Sequence, residues 1–144
     1  YLLTRSIKTL SVRMKQHNEN AIAVSNYLSN HPKIEKVFFP GTDKRHKEIA
    51  EKQMDGFGGM MSFVIDSDIN GVKTFLKNLN LFTLAESLGG VESLIEHPAI
   101  MTHASIDPSI REKLGISETL LRISVGIEDV DDLISDLDQA LSKI

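Results

Sequence analysis

A chain of 144 residues, 41% of them hydrophobic and 25% charged, carries enough apolar material for one ordinary domain with a real core. The residues present contain no run of about 18 apolar residues to cross a bilayer and no secretory leader pattern, and a net charge of −4 without a basic stripe offers no footprint for a phosphate backbone. Membrane and nucleic acid are therefore not expected partners, while the absence of cysteine rules out disulfides, zinc ribbons and thiol nucleophiles and fits a cytoplasmic chain.

In chain order, Leu3, Ile7, Leu10, Met14, His17, Ala21, Val24 and Leu28 follow strides of four and three, which predicts one long amphipathic helix. Asn30, His31 and Pro32 end it, because the residue before proline is pushed out of helical geometry. No capping residue precedes this helix, so Tyr1 reads as the start of a fragment with sequence upstream. Ile34 to Phe39 reads as a β-branched and aromatic strand stopped by Pro40-Gly41, and Lys47 to Met54 as a short helix. Gly56, Gly58 and Gly59 lead into a strand over Met60 to Ile65. A phosphate loop would have to open a helix instead, so these glycines read as turn chemistry.

Asp66, Ser67 or Asp68 can cap a helix bearing Val72, Phe75, Leu76 and Leu79 on one face, and Leu81 to Leu84 can form a further strand. A long irregular stretch follows. Pro108 to Leu114 then offers a short helix stopped by Gly115, Thr119 to Val125 a strand, and Val130, Leu133, Ile134, Leu137 and Leu141 the face of a closing helix with acids at its start. The sum is an α+β domain, an α/β sandwich over residues 1–144 with a small, mainly antiparallel sheet, helices on one face and a long helix in front.

The five histidines show no metal-binding spacing, so His31, His46 and His97 read as satisfied loop or surface residues and no metal is expected. The stretch from Thr83 to Ser105 is long for a loop, and Gly89-Gly90 would permit close backbone approach to a ligand, although on spacing alone a packed structural loop is the better account. Along the strand near Thr119, Leu121, Ile123 and Val125 point one way and Leu120, Arg122 and Ser124 the other. The Arg122 fork suits a carboxylate; a solvated or structurally paired arginine is the plain alternative.

Three runs together carry a resemblance. They are Ala-Glu-Ser-Leu-Gly-Gly-Val-Glu-Ser-Leu from Ala85, His-Pro-Ala-Ile-Met-Thr-His-Ala-Ser from His97, and Leu-Gly-Ile-Ser-Glu-Thr-Leu-Leu-Arg-Ile-Ser-Val-Gly-Ile-Glu-Asp from Leu114. With weaker agreement in the opening Leu-Leu-Thr-Arg-Ser-Ile-Lys-Thr-Leu and the Gly-Phe-Gly-Gly entrance, the chain resembles the C-terminal third of the cystathionine γ-lyase and γ-synthase family, which uses pyridoxal phosphate. The resemblance implies the C-terminal domain of a fold-type I enzyme.

It further implies that Arg122 grips the α-carboxylate of an amino-acid substrate, that Ser87 lies beside the substrate and the cofactor, and that Glu86 meets the distal amino group of cystathionine. By the same resemblance the Schiff-base lysine, the partner of the pyridinium nitrogen and most phosphate contacts belong to a preceding cofactor domain outside these residues. The chain alone is thus expected to hold no catalytic lysine, to bind no pyridoxal phosphate and to be inactive. Its parent is expected to be a homotetramer. Cystathionine γ-lyase is the expected activity, with γ-synthase as the alternative and a non-catalytic binding or oligomerisation module as the reading from another class.

Overall fold

The computed structural model describes residues 1–43 and 46–144. The opening stripe forms two helices, α1 (Leu2–Ile7) and α2 (Leu10–Asn30), with a break at Lys8 and Thr9 in place of the single helix expected. The break is stabilised locally: the Ser6 carbonyl accepts from the Thr9 hydroxyl at 3.2 Å and from Arg13 Nη2 at 3.0 Å, so side chains replace lost helical bonds. Only the second half of the stripe is buried. His17, Ala21, Val24 and Leu28 enter the interior, whereas Leu3, Ile7, Leu10 and Met14 stay exposed and α1 has no buried residue.

After α2 come β1 (Ile34–Phe38), α3 (Lys47–Gln53), β2 (Met60–Ile65), α4 (Ile69–Asn78), β3 (Thr83–Leu84), β4 (Leu94–Glu96), α5 (Pro108–Lys113), β5 (Leu120–Ser124) and α6 (Val130–Leu141). The strands make one five-stranded sheet in the order β1-β2-β5-β4-β3, antiparallel throughout except for the parallel β3–β4 edge. Alternation decides its two faces. Met61, Phe63, Ile65, Ile95, Leu121, Ile123 and Val125 join the core with Val24 and Leu28 of α2, Val72 and Phe75 of α4, and Leu133, Leu137 and Leu141 of α6. Leu120, Arg122 and Ser124 face the other way, away from those helices. The α+β class, the mainly antiparallel sheet and the one-sided helix layer are as the sequence predicts.

Asp68 is the residue that caps α4, accepting from the Asn70 and Gly71 amides at 3.0 and 2.8 Å, and Asp129 caps α6 on the Asp131 amide at 2.9 Å. The turn reading of the glycine cluster holds, since Gly58 has φ +73, a region costly for side-chain-bearing residues. Polar groups of α2 fix the β5–α6 turn as well: His17 Nδ1 meets the Val125 carbonyl at 2.7 Å, and Asn20 Nδ2 donates to Gly126 O and Glu128 O at 3.0 and 2.8 Å. The sequence stripe marks His17 but not this use of it.

Two buried titratable groups set an acid limit on stability. Burial pushes the Asp136 carboxyl upward, but the amides of Leu81, Asn80 and Phe82 and the Gln139 side chain outweigh it and hold the group below the usual carboxylate range. Burial lowers His97, whose Nε2 meets the Glu118 carbonyl at 2.8 Å while Nδ1 has no partner among the described residues, so His97 is an interior residue and only half satisfied. Both folded values lie below the unfolded ones. The His97 contribution is therefore present above roughly pH 6.5 and lost as acid protonates it, and that of Asp136 is lost lower still, as pH falls through its folded value. The melting temperature is expected to fall in two stages as pH is lowered from neutral through the carboxylate range, and Asp136→Asn should shrink the lower stage while costing about 1–3 kcal/mol at neutral pH; a flat profile in the wild type would contradict this assignment.

Candidate functional site

The sheet face turned away from the helices carries a polar pair that strand register brings together. Glu96 on β4 is the direct cross-strand partner of Arg122 on β5, and Ser62 on β2 is its partner on the other side. Facing residues of an antiparallel pair project on the same side, so the Arg122 guanidinium reaches the Glu96 carboxylate, with Nη2 at 2.7 Å from Oε2. Their burial is unequal: the glutamate side chain is 1% exposed and the arginine 24%.

The same Nη2 donates to two backbone carbonyls of the overlying loop, Glu86 O at 2.9 Å and Ser87 O at 3.4 Å. Its two hydrogens are thereby committed, which explains why Glu96 Oε2 has a charge contact at 2.7 Å yet no aligned hydrogen bond among the described residues. The other carboxylate oxygen, Oε1, accepts from the Thr102 hydroxyl, which in turn lies 2.8 Å from His103 Nδ1.

Loop 85–93 is pinned at intervals. The Ala85 amide donates to Ile95 O at 2.9 Å, the Gly89 amide to Ser124 Oγ at 2.9 Å, and the Val91 carbonyl accepts from Ile127 N at 2.9 Å. Ser93 closes it, with its amide and hydroxyl both donating to Glu128 and its Oγ accepting from the Gly126 amide at 2.8 Å. Gly89 has φ +77, so the pin to Ser124 uses a backbone conformation that favours glycine. Between pins, Glu86, Ser87 and Leu88 are exposed.

The three residues singled out from sequence thus meet at one place: Arg122 touches the backbone of both Glu86 and Ser87, and both of those residues are exposed. Sequence reading misses Glu96 and Thr102. The signal for Glu96 is the Leu-Ile-Glu triplet of β4, hidden inside a stretch read as irregular. Among the described residues no cluster of three or more histidines or acids could hold a metal. A cleft of about 420 Å³ lined by Arg5, Ser6, Thr9, Arg13, Gly89, Gly90 and Val91 lies against the same loop, but neither Arg122 nor Glu86 forms its wall. The Arg122 site is an open rim.

Residues 1–142 match the sequence signature of the Cys/Met metabolism PLP-dependent enzyme family. The chain belongs to that family. This Cys/Met metabolism chain is 54% identical to cystathionine γ-lyase of Dictyostelium discoideum over 99% of its length and 56% identical to that of Bos taurus over 98%; it is also 51% identical to a cystathionine β-lyase of Lactococcus lactis subsp. cremoris. It spans 37%, 35% and 38% of those relatives. Among solved structures it superposes on cystathionine γ-synthase of Xanthomonas oryzae pv. oryzae, in complex with aminoacrylate and cysteine, with a TM-score of 0.91 and 46% identity, covering 96% of this chain and 36% of that one. A putative O-acetylhomoserine (thiol)-lyase of Campylobacter jejuni, carrying a pyridoxyl-lysine phosphate, matches with a TM-score of 0.92 and 36% identity over 98% of this chain and 34% of its own.

The donor chemistry of the rim fits one polar edge of pyridoxal phosphate. The exposed Ser87 hydroxyl and the guanidinium of this Cys/Met metabolism chain offer contacts to a polar ring edge and to a carboxylate. No lysine occurs in residues 83–105 or in β5, so an amine to receive the aldehyde has to come from elsewhere.

Proposed function

We propose that this chain is the C-terminal, substrate-binding part of a pyridoxal-phosphate enzyme that cleaves cystathionine, with water, to cysteine, 2-oxobutyrate and ammonia. The observation that carries the reading is the convergence of the Arg122 guanidinium with Glu86 and Ser87 at a partly open rim. The cystathionine γ-lyase relatives at more than half identity support it.

When bound, pyridoxal phosphate supplies the electron sink for elimination at the substrate's γ carbon. The chain's own residues hold the substrate. Arg122 clasps the α-carboxylate and thereby fixes rotation about the bond to Cα, so that the Cα–H bond is aligned for proton removal. Ser87 contributes a hydroxyl on the cofactor side, and the exposed Glu86 carboxylate meets the distal ammonium group of cystathionine, some bonds beyond the sulfur. The catalytic lysine and the rest of the cofactor cradle lie in a preceding domain, and the parent acts as a homotetramer in the cytoplasm. The chain by itself binds no pyridoxal phosphate and is inactive.

The γ-synthase reading shares every one of these contacts and is supported by the Xanthomonas neighbour. Incubating the intact enzyme with cystathionine tests the choice. Release of 2-oxobutyrate and cysteine is the expected result. Pyruvate and homocysteine would make it a β-lyase, cystathionine formed from cysteine and an activated homoserine ester without appreciable cleavage a synthase, and no turnover of either kind a non-catalytic module.

A further inference from the structure

We propose that Glu96 is a positioning residue for the substrate-carboxylate anchor: its buried carboxylate, clamped by Thr102, holds the Arg122 guanidinium in register for the ligand. The inference rests on the reading of Arg122 as that anchor and adds the group that makes it rigid.

Three observations carry it. A carboxylate 1% exposed must be compensated by a nearby positive charge, and Arg122 is its ion-pair partner among the described residues. Its two oxygens are used differently: Oε1 is held by the Thr102 hydroxyl, whereas Oε2 has no aligned donor and only the guanidinium at 2.7 Å. Finally, the pair is built from directly opposed residues of β4 and β5, so its geometry is fixed by sheet register and not by a flexible loop.

The chemical consequence concerns the guanidinium's free edges. An arginine on a strand can swing through several rotamers, and a carboxylate ligand must then order it at an entropic cost. Glu96 removes that cost by drawing Nη2 inward while Nε and Nη1 have no hydrogen bond to other described residues. Nη2 belongs to both two-pronged edges of the fork, so a carboxylate that binds bidentately displaces one of the two loop carbonyls and leaves the Glu96 contact in place.

The test uses the intact enzyme and two probes: L-alanine, and L-alaninamide, which lacks the carboxylate, each titrated against the absorbance of the bound cofactor. Glu96→Gln is expected to weaken L-alanine binding about tenfold and leave L-alaninamide within about twofold, with KM for the natural substrate raised and kcat little changed. Thr102→Val, at an exposed position, is expected to give the same pattern at about threefold, and it decides the matter if Glu96→Gln does not fold. Equal losses for both probes, or none for either, would overturn the positioning role. The underlying anchor reading is tested apart by Arg122→Ala: unchanged L-alanine binding there removes the anchor itself, whereas weakened binding in Arg122→Ala with wild-type binding in the Glu96 and Thr102 variants removes only this proposal.

Discussion

Arg122→Ala in the intact enzyme is expected to raise KM for cystathionine about 100-fold. A fork that holds a carboxylate by charge-assisted hydrogen bonds contributes about 3 kcal/mol when removed, and each 1.4 kcal/mol is about tenfold. Arg122→Lys keeps the charge but loses the planar fork, so it should recover only part of the loss. The alanine variant also leaves Glu96 buried without its counter-charge. Because the arginine side chain is 24% exposed, screening reduces that penalty, and a stability loss of about 1–3 kcal/mol is expected. Steady-state kinetics checks the first effect and thermal melting the second; wild-type KM in the alanine variant would remove Arg122 from the substrate site.

The largest expected loss of stability comes from Phe63→Ala. Phe63 sits at mid-sheet on β2, between β1 and β5, with no exposed surface, and its ring meets Phe75 of α4 edge-on at 6.2 Å with an interplanar angle of 90°. Truncation deletes the contact that seats α4 on the sheet and leaves a cavity flanked by residues already held by their own strands, so the expected cost is about 3–5 kcal/mol. Val64, the next residue, points to the opposite face and is only partly buried, and Val64→Ala should cost about 1 kcal/mol. Denaturant titration of the two variants at neutral pH is the measurement. Comparable midpoints would mean that the two faces of the sheet carry similar weight.

Much of this architecture is legible in the residues because it follows from local rules. A short apolar run behind the glycine turn marks Met60–Ile65, a β-branched and apolar run with alternating faces marks Leu120–Ser124, acids before apolar faces mark α4 and α6, and Pro-Gly and His-Pro pairs mark the stops. The α1–α2 break is not legible, since the apolar stride runs unbroken through Lys8 and Thr9 and the interruption is held by side chains bonding to Ser6 O. The β4 strand is not legible either. Three residues are too short for periodicity to speak, and their strand character comes from pairing with β5, a long-range contact. That is why Arg122 could be singled out from its alternation and chemistry while its partner Glu96 could not. The joint location of Arg122 with the adjacent Glu86 and Ser87 comes from two separate runs of sequence whose proximity only the tertiary fold creates.

The mounting of Arg122 on β5 has a mechanical consequence. That strand is bonded to β2 on one side and β4 on the other, so its backbone is among the stiffest in the domain, while Glu86, Ser87 and Leu88 form a short span hung between the pins at Ala85 and Gly89. Any adjustment of the proposed site to a ligand must then be made by the hanging span, like a latch moving over a fixed post. Amide exchange with heavy water would be much slower at Ile123 than at Leu88, and an occupied site would slow the latter while leaving the former as it was.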